Sequence, residues 1–206
     1  MLFRSLSGRS IVGCRKQRRT RTRKMRPTAI TGRWSIAGAK KQRTEMLYVC
    51  GIDPGANGAL AFFNAELAAL EVFPMPTTTR EVRGKKKREV DPVGVAEIMR
   101  RMRTPELVVI ERVSAMPNQG VTSMFSFGRA LGVIEGVVAG FRMDTEWVTP
   151  HSWKKHFGLL KADKNASRIK AQEVFPAYRD LFARAKDDGL AEAALIAMWG
   201  VIHAAE

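Results

Sequence analysis

From residue 46 the chain presents three short apolar runs divided by turn residues, then an amphipathic helix, then a fourth apolar run. "MLYVCGID", "ALAFF" (59–63) and "ALEVF" (69–73) are separated by Pro54-Gly55, Asn57-Gly58 and a short polar link. Gly, Pro and Asn at these spacings set closely spaced turns, and turns this short join antiparallel strands. The next apolar run, "ELVVIERV", is reached only through a helix. Asp91 is suited to be its N-cap, Pro92 its first residue, and Val95, Ile98, Met99 and Met102 its buried stripe. A helical crossover returns the chain in the direction it came from, so this fourth strand is expected to run parallel to an earlier one. A long helix over about 122–141, a fifth strand at "TEWVTP" (145–150), a short helix at "HSWKKHF", a helix from about Asp163 to Phe175 and a last helix starting at Asp187 or Asp188 complete the order. The pattern predicts an α/β layer with a mixed five-stranded sheet flanked by helices. The basic stretch "TTTREVRGKKKRE" reads as a polar loop.

Two carboxylates stand where apolar strands should be buried. Asp53 closes the first strand and Glu111 lies inside the fourth. A buried carboxylate is costly unless a cation or hydrogen-bond donors meet it. The last helix carries "KDDGLAEA", in which Asp188 and Glu192 are four residues apart and so share a helix face, about 40° out of line. Asp187 is five residues from Glu192 and faces elsewhere. Asp53, Glu111, Asp188 and Glu192 are therefore expected to converge. Four such groups repel one another unless divalent cations sit among them, and hard oxygen donors suit Mg²⁺ or Mn²⁺. Two such ions about 3.5–4 Å apart are a known arrangement for phosphodiester cleavage. Taken singly, Asp53 before Pro54-Gly55 reads equally well as a turn cap, and Asp188 as a helix N-cap.

The formal net charge is +15, but it is unevenly placed. Residues 1–45 hold 14 of the 35 Lys and Arg residues with Glu45 as their one acid, a net of +13, which leaves +2 for the remainder. The basic segment is too charged and too poor in apolar residues to form a core, and reads as disordered. Three meanings stay open for it: an arm on phosphates, an Arg-rich targeting peptide for an organelle, or sequence upstream of a start at Met46. The position of Met46 directly before the first strand favours the last. The domain reading is thus a tail over 1–45 and a folded domain over 46–206. Cys14 and Cys50 show no metal-binding spacing, and Cys50 reads as a small buried thiol. No run of about 18 apolar residues free of charge occurs, so no membrane-spanning helix is expected.

Together, "GIDPGANGALAFF", "VVIERV" and "KDDGLAEAALIA" resemble the three acidic motifs of RuvC-type Holliday-junction resolvases, within the RNase H-like superfamily. "MPNQGVTSMFSFGRALGVIEGVV", "VTPHSWKKHFGL" and the Phe175-Pro176 pair are similar to the chloroplast-type branch and its phage and bacterial relatives. The resemblance covers roughly residues 46–203. It implies an RNase H-like fold and a crossover junction endonuclease acting in DNA recombination and repair. It also implies Mg²⁺ dependence, a homodimer on four-way junction DNA, product ends of 5′-phosphate and 3′-hydroxyl, and a cytoplasmic bacterial or phage setting. Its metal ligands fall on Asp53, Glu111, Asp188 and Glu192. The four-residue spacing of the last two differs from the three of the best-known bacterial members, which leaves the third ligand open between Asp187 and Asp188.

Phosphate contacts require local cations. Arg83, Lys85, Lys86, Lys87 and Arg88 form the densest cluster. Lys154 with Lys155, and Lys161, Lys164, Arg168 and Lys170, form two more. Phe125, Asn118 and Gln119 follow the Glu111 strand and are candidates for contact with DNA, whereas a core role competes for Phe125 and Phe127. Gly128, Gly132, Gly136 and Gly140 recur every four residues and form a smooth ridge, suited to the last helix of the same chain or to a second copy. Two other functions compete: an RNase H-like nuclease acting on RNA or on DNA other than junctions, and a non-catalytic DNA-binding recombination protein.

Overall fold

The computed structural model describes residues 47–82, 84–112, 114, 120–163 and 165–204, excluding the side chains of Val82 and Lys85. The basic tail, Arg83, Asn118, Gln119 and Lys164 lie outside the described residues. Strands β1 (Tyr48–Asp53), β2 (Ala59–Asn64) and β3 (Ala69–Pro74) form an antiparallel meander. Strand β6 (Leu107–Glu111) adds to β1 in parallel, and β7 (Thr145–Val148) adds to β6 in parallel, giving the order β3-β2-β1-β6-β7. The mixed five-stranded sheet is the one the turn spacing predicts.

Strands β4 (Thr77–Val82) and β5 (Lys85–Val90) form a separate two-stranded sheet where the sequence reads as a loop. The reading failed because no apolar alternation marks these residues. β-Branched Thr77–Thr79 favour extended backbone, Gly84 at φ 72° turns the chain, and the ladder runs between polar residues.

Helix α1 (Pro92–Arg101) begins as expected: Asp91 Oδ1 accepts from Val93 N at 3.0 Å, and Val95 and Met99 are buried. Helix α2 (Val121–Gly140) follows β6; α3 (Pro150–His156) is capped by Thr149; α4 (Ala166–Val174) leads through two 3-10 turns to α5 (Asp188–Ala204). Strand alternation sorts the core onto the two faces of the sheet. Cys50, Ile52, Leu60, Phe62, Val108 and Ile110 pack with α1 and α2. Val49, Ala61, Phe63, Val109 and Val148 pack with α5 and its neighbours, including fully buried Trp153 and Phe182.

Helix α5 presents small residues to the sheet and lies close upon it: a Cβ placed on Gly51 would stand 2.3 Å from Ala197 N and 2.4 Å from Ala193 O. Helix α2 is different. Its Ala130, Ile134 and Val138 lie on the sheet and most of the remainder is exposed. By length and a mean hydropathy of 1.3 it is long and apolar enough to cross a membrane, despite Arg129 and Glu135. The sequence expectation concerned runs free of charge, and this helix carries two charges.

Candidate active site

Parity along the strands brings the two strand carboxylates together. Val49, Gly51 and Asp53 alternate toward the α5 side of β1, as Leu107, Val109 and Glu111 do on β6. The register pairs Ile52 with Ile110, which sets Asp53 beside Glu111 one step further on. Both stand at the C-terminal ends of parallel strands, where open α/β sheets form their crevices. Helix α5 enters there with Asp188 in its first turn and Glu192 one turn on.

Charge reveals how close these groups are. Burial, then the nearby Glu111 and Glu192, pushes the Asp53 carboxyl up to about 7 from its ordinary 3.8, against the Gly55 N–H and Lys154. Burial also raises Glu111, which is opposed by a hydrogen bond from Trp153 and by Lys154 and reinforced by Glu192. Trp153 Nε1 donates to Glu111 Oε1 at 2.8 Å. Glu192 accepts from Ser167 Oγ at 3.1 Å and pairs with Lys154 Nζ at 3.0 Å. Asp188 lines the same cleft but is held by Arg168 Nε at 2.8 Å.

Asp187 does not join this group. It is 2 % exposed, caps its own 3-10 turn through Arg184 N, and binds the Arg184 guanidinium. Those contacts hold its carboxyl below the usual range despite the cost of burial. Of the two adjacent acids, Asp188 is the one that faces the cleft.

Among the described residues, no three His, Cys, Asp or Glu side chains close around a common point. The physical reason is visible in the partners. Lys154 and Arg168 each draw one α5 carboxylate toward themselves, while Asp53 and Glu111 keep theirs deep between the strands. The donor set still suits a hard divalent cation. It is all oxygen, the donor type that hard divalent cations take.

Asp53, Asp188 and Glu192 line a cleft of about 1280 Å³. One wall is β5 with the first half of α2, including Lys87, Arg88, Phe125, Phe127 and Arg129; the other carries Lys154, Lys161 and Lys186. Phe125 and Phe127 are 71 % and 41 % exposed, which excludes the core role the sequence left open. Lys86, Lys155 and Lys161 are exposed. Lys87 is bonded to Ser126 Oγ of α2, and Arg129 pairs with Glu89 at 2.5 Å. Arg168 donates to Asp188, Asn165 and the Ala183 carbonyl of its own chain. Lys170 pairs with Glu173.

The sequence reading missed Trp153 and Ser167 as partners of the acids, and Arg129 and Lys186 as cleft cations. Nothing in the spacing of these residues signals their roles. His156 packs edge-on against Phe157 and His203, and His203 stacks on Trp199 at 4.0 Å.

No protein-family model matches the chain, and no curated protein matches it. Solved structures do. The yeast mitochondrial Holliday junction resolvase aligns with a TM-score of 0.50 at 15% identity, covering 78% of this chain and 80% of that one. Thermus thermophilus RuvC aligns with a TM-score of 0.45 at 18% identity, covering 76% and 97%. Its complex with a Holliday junction substrate gives 0.46 at 18%, covering 74% and 91%. The five-stranded mixed sheet with its flanking helices is the fold that this chain shares with the yeast mitochondrial resolvase.

Proposed function

We propose that the chain is a divalent-metal-dependent endonuclease that resolves four-way DNA junctions, working as a symmetric homodimer. The observation that carries this reading is the meeting of Asp53 and Glu111 at adjacent parallel strand ends, with Asp53, Asp188 and Glu192 lining a cleft that has cationic walls. Mg²⁺, or Mn²⁺ in its place, would supply Lewis acidity and an activated water for in-line hydrolysis leaving 5′-phosphate and 3′-hydroxyl ends. Asp53, Glu111, Asp188 and Glu192 would hold it. The hydrogen bond from Trp153 opposes the rise of the Glu111 carboxyl and aims it, and Lys154 balances part of the acidic charge. Lys86, Lys155 and Lys161 offer exposed cations to phosphates, and Phe125 offers a ring face to an unstacked base at the rim.

The test uses the full chain with a four-way junction, a flap, a linear duplex and an RNA–DNA hybrid, each with Mg²⁺ and with Ca²⁺. Paired nicks in the junction alone, with Mg²⁺ alone, are expected. Equal cutting of duplex or hybrid would replace the junction reading with a broader RNase H-like nuclease. Binding without cutting in either metal would replace it with a DNA-binding scaffold.

Trp153→Phe keeps the buried ring and deletes the donor to Glu111. A lost hydrogen bond to a charged acceptor costs about 1.5–3 kcal/mol. Since that bond favours the ionised form, its loss raises the Glu111 carboxyl further. The acid limb of the cleavage pH profile is expected to move to higher pH, with the rate on that limb reduced and the alkaline plateau less affected.

The dimer reading rests on α2. A Cβ on Gly128, Gly132, Gly136 or Gly140 would meet nothing within 4 Å among the described residues, so the ridge is not filled by α5. Exposed Val121 continues the apolar surface. Gly132→Arg is expected to remain folded, its helix regaining about the 1 kcal/mol that Gly costs while losing the contribution of association. Sedimentation equilibrium at micromolar concentration should show the wild type as dimer and the variant as monomer. A monomeric wild type would remove this contact.

A further inference from the structure

The turn joining β1 to β2 is held from three sides. On the site side, Asp53 Oδ1 accepts from Gly55 N at 3.2 Å, and Gly58 N donates to Gly55 O at 2.8 Å. On the helix side, a Cβ on Gly189 would stand 2.1 Å from Asn57 O, so the first turn of α5 rests directly on this backbone. On the outer side stands one residue of the basic hairpin. Arg88 Nη2 donates to Ala56 O at 2.9 Å and Nη1 to Asn57 Oδ1 at 3.2 Å, while Nε reaches Thr77 Oγ1 at 3.3 Å. Its neighbours in β5 point the other way: Lys87 bonds to Ser126 and Glu89 pairs with Arg129, both on α2. The hairpin is thus braced on α2 through one face and grips the turn through the other.

We propose that Arg88 is a positioning residue: by gripping the turn it fixes the Asp53 carboxylate against the start of α5, instead of serving as a phosphate anchor with the rest of the cluster at 83–88. Its planar fork is matched to acceptors of its own chain, and a lysine, a point charge on a flexible stem, would not reproduce three directed bonds. The consequence for cleavage rests on the nuclease reading; the grip itself rests on geometry alone.

The experiment compares full-length wild type, R88A, R88K and K86A. Amide hydrogen exchange at Gly58 is measured without metal or DNA, junction affinity in Ca²⁺, and the Mn²⁺ half-saturation of single-turnover cleavage. In R88A and R88K alike, Gly58 exchange should accelerate about tenfold, the worth of about one net hydrogen bond. The Mn²⁺ half-saturation should rise several-fold, and junction affinity should stay within about threefold. K86A should weaken junction binding and leave Gly58 exchange unaltered. Unchanged exchange in R88A overturns the proposal. So does a loss of junction affinity in R88A that R88K restores, because charge alone would then account for the residue. If no protein in the set cuts any DNA, the nuclease reading falls while the exchange result still decides whether Arg88 holds the turn.

Discussion

Asp53→Asn is expected to abolish junction cleavage, by about 10³-fold or more, because it removes the carboxylate common to every arrangement of the acidic site. Junction binding in Ca²⁺ should persist, since Asp53 lies on the cleft floor and the cations lie on its walls. The same substitution has a second, independent effect. The Asp53 carboxyl titrates at about 7 in the metal-free fold, above its ordinary 3.8. A raised carboxyl means that the folded chain prefers the protonated form. Stability from this group is complete below about pH 4 and is lost as pH rises through 7. Asparagine never ionises and escapes that loss. Metal-free Asp53→Asn should therefore be more stable than wild type at pH 8, on the order of 4 kcal/mol, or roughly 8–16 °C in melting temperature, with the gap narrowing to below about 2 kcal/mol at pH 5 and closing near pH 4. Saturating Mg²⁺ should reverse the order, because only the wild type gains by binding it. A variant that cuts at the wild-type rate, or melts alike at pH 5 and pH 8, would refute the placement of this carboxylate.

Gly51→Ala is expected to destabilise the fold by about 3 kcal/mol or more, because the added methyl meets main chain and has no side chain to displace. Its position would be 2.3 Å from Ala197 N, 2.4 Å from Ala193 O and 2.8 Å from Ala197 Cα. Relief requires α5 to lift from β1, which also withdraws Asp188 and Glu192 from Asp53. Thermal denaturation should show a loss of roughly 6–12 °C, and cleavage should fall by more than the unfolded fraction explains. Equal melting temperatures for Gly51→Ala and wild type would show that α5 does not lie this close to the sheet.

Much of the architecture was legible because burial writes itself into residue type. Runs such as "VVIE" and "ALAFF" are apolar on both faces since helices cover both sides of the sheet. Asp91-Pro92 marks the start of α1 by chemistry that acts within two residues. The β4–β5 hairpin escaped notice because its cohesion comes from backbone pairing between polar residues. At the site, Asp53 and Glu111 stood out as charges in apolar strands. The choice between Asp187 and Asp188 needed the 3-10 turn that aims one of them at Arg184. Arg88 and Arg168 were the least legible. A long cation selects its partner from everything within reach, and Ala56, Asn57 and Asp188 come within reach only after the chain has folded.

Because α5 both roofs one side of the core and carries Asp188 and Glu192 toward the strand carboxylates, folding and the assembly of the acidic site share a single element. A chain cut between β1 and residue 188 separates Asp53 from both of them. Under the proposed function, fragments made by such a cut would be inert toward DNA.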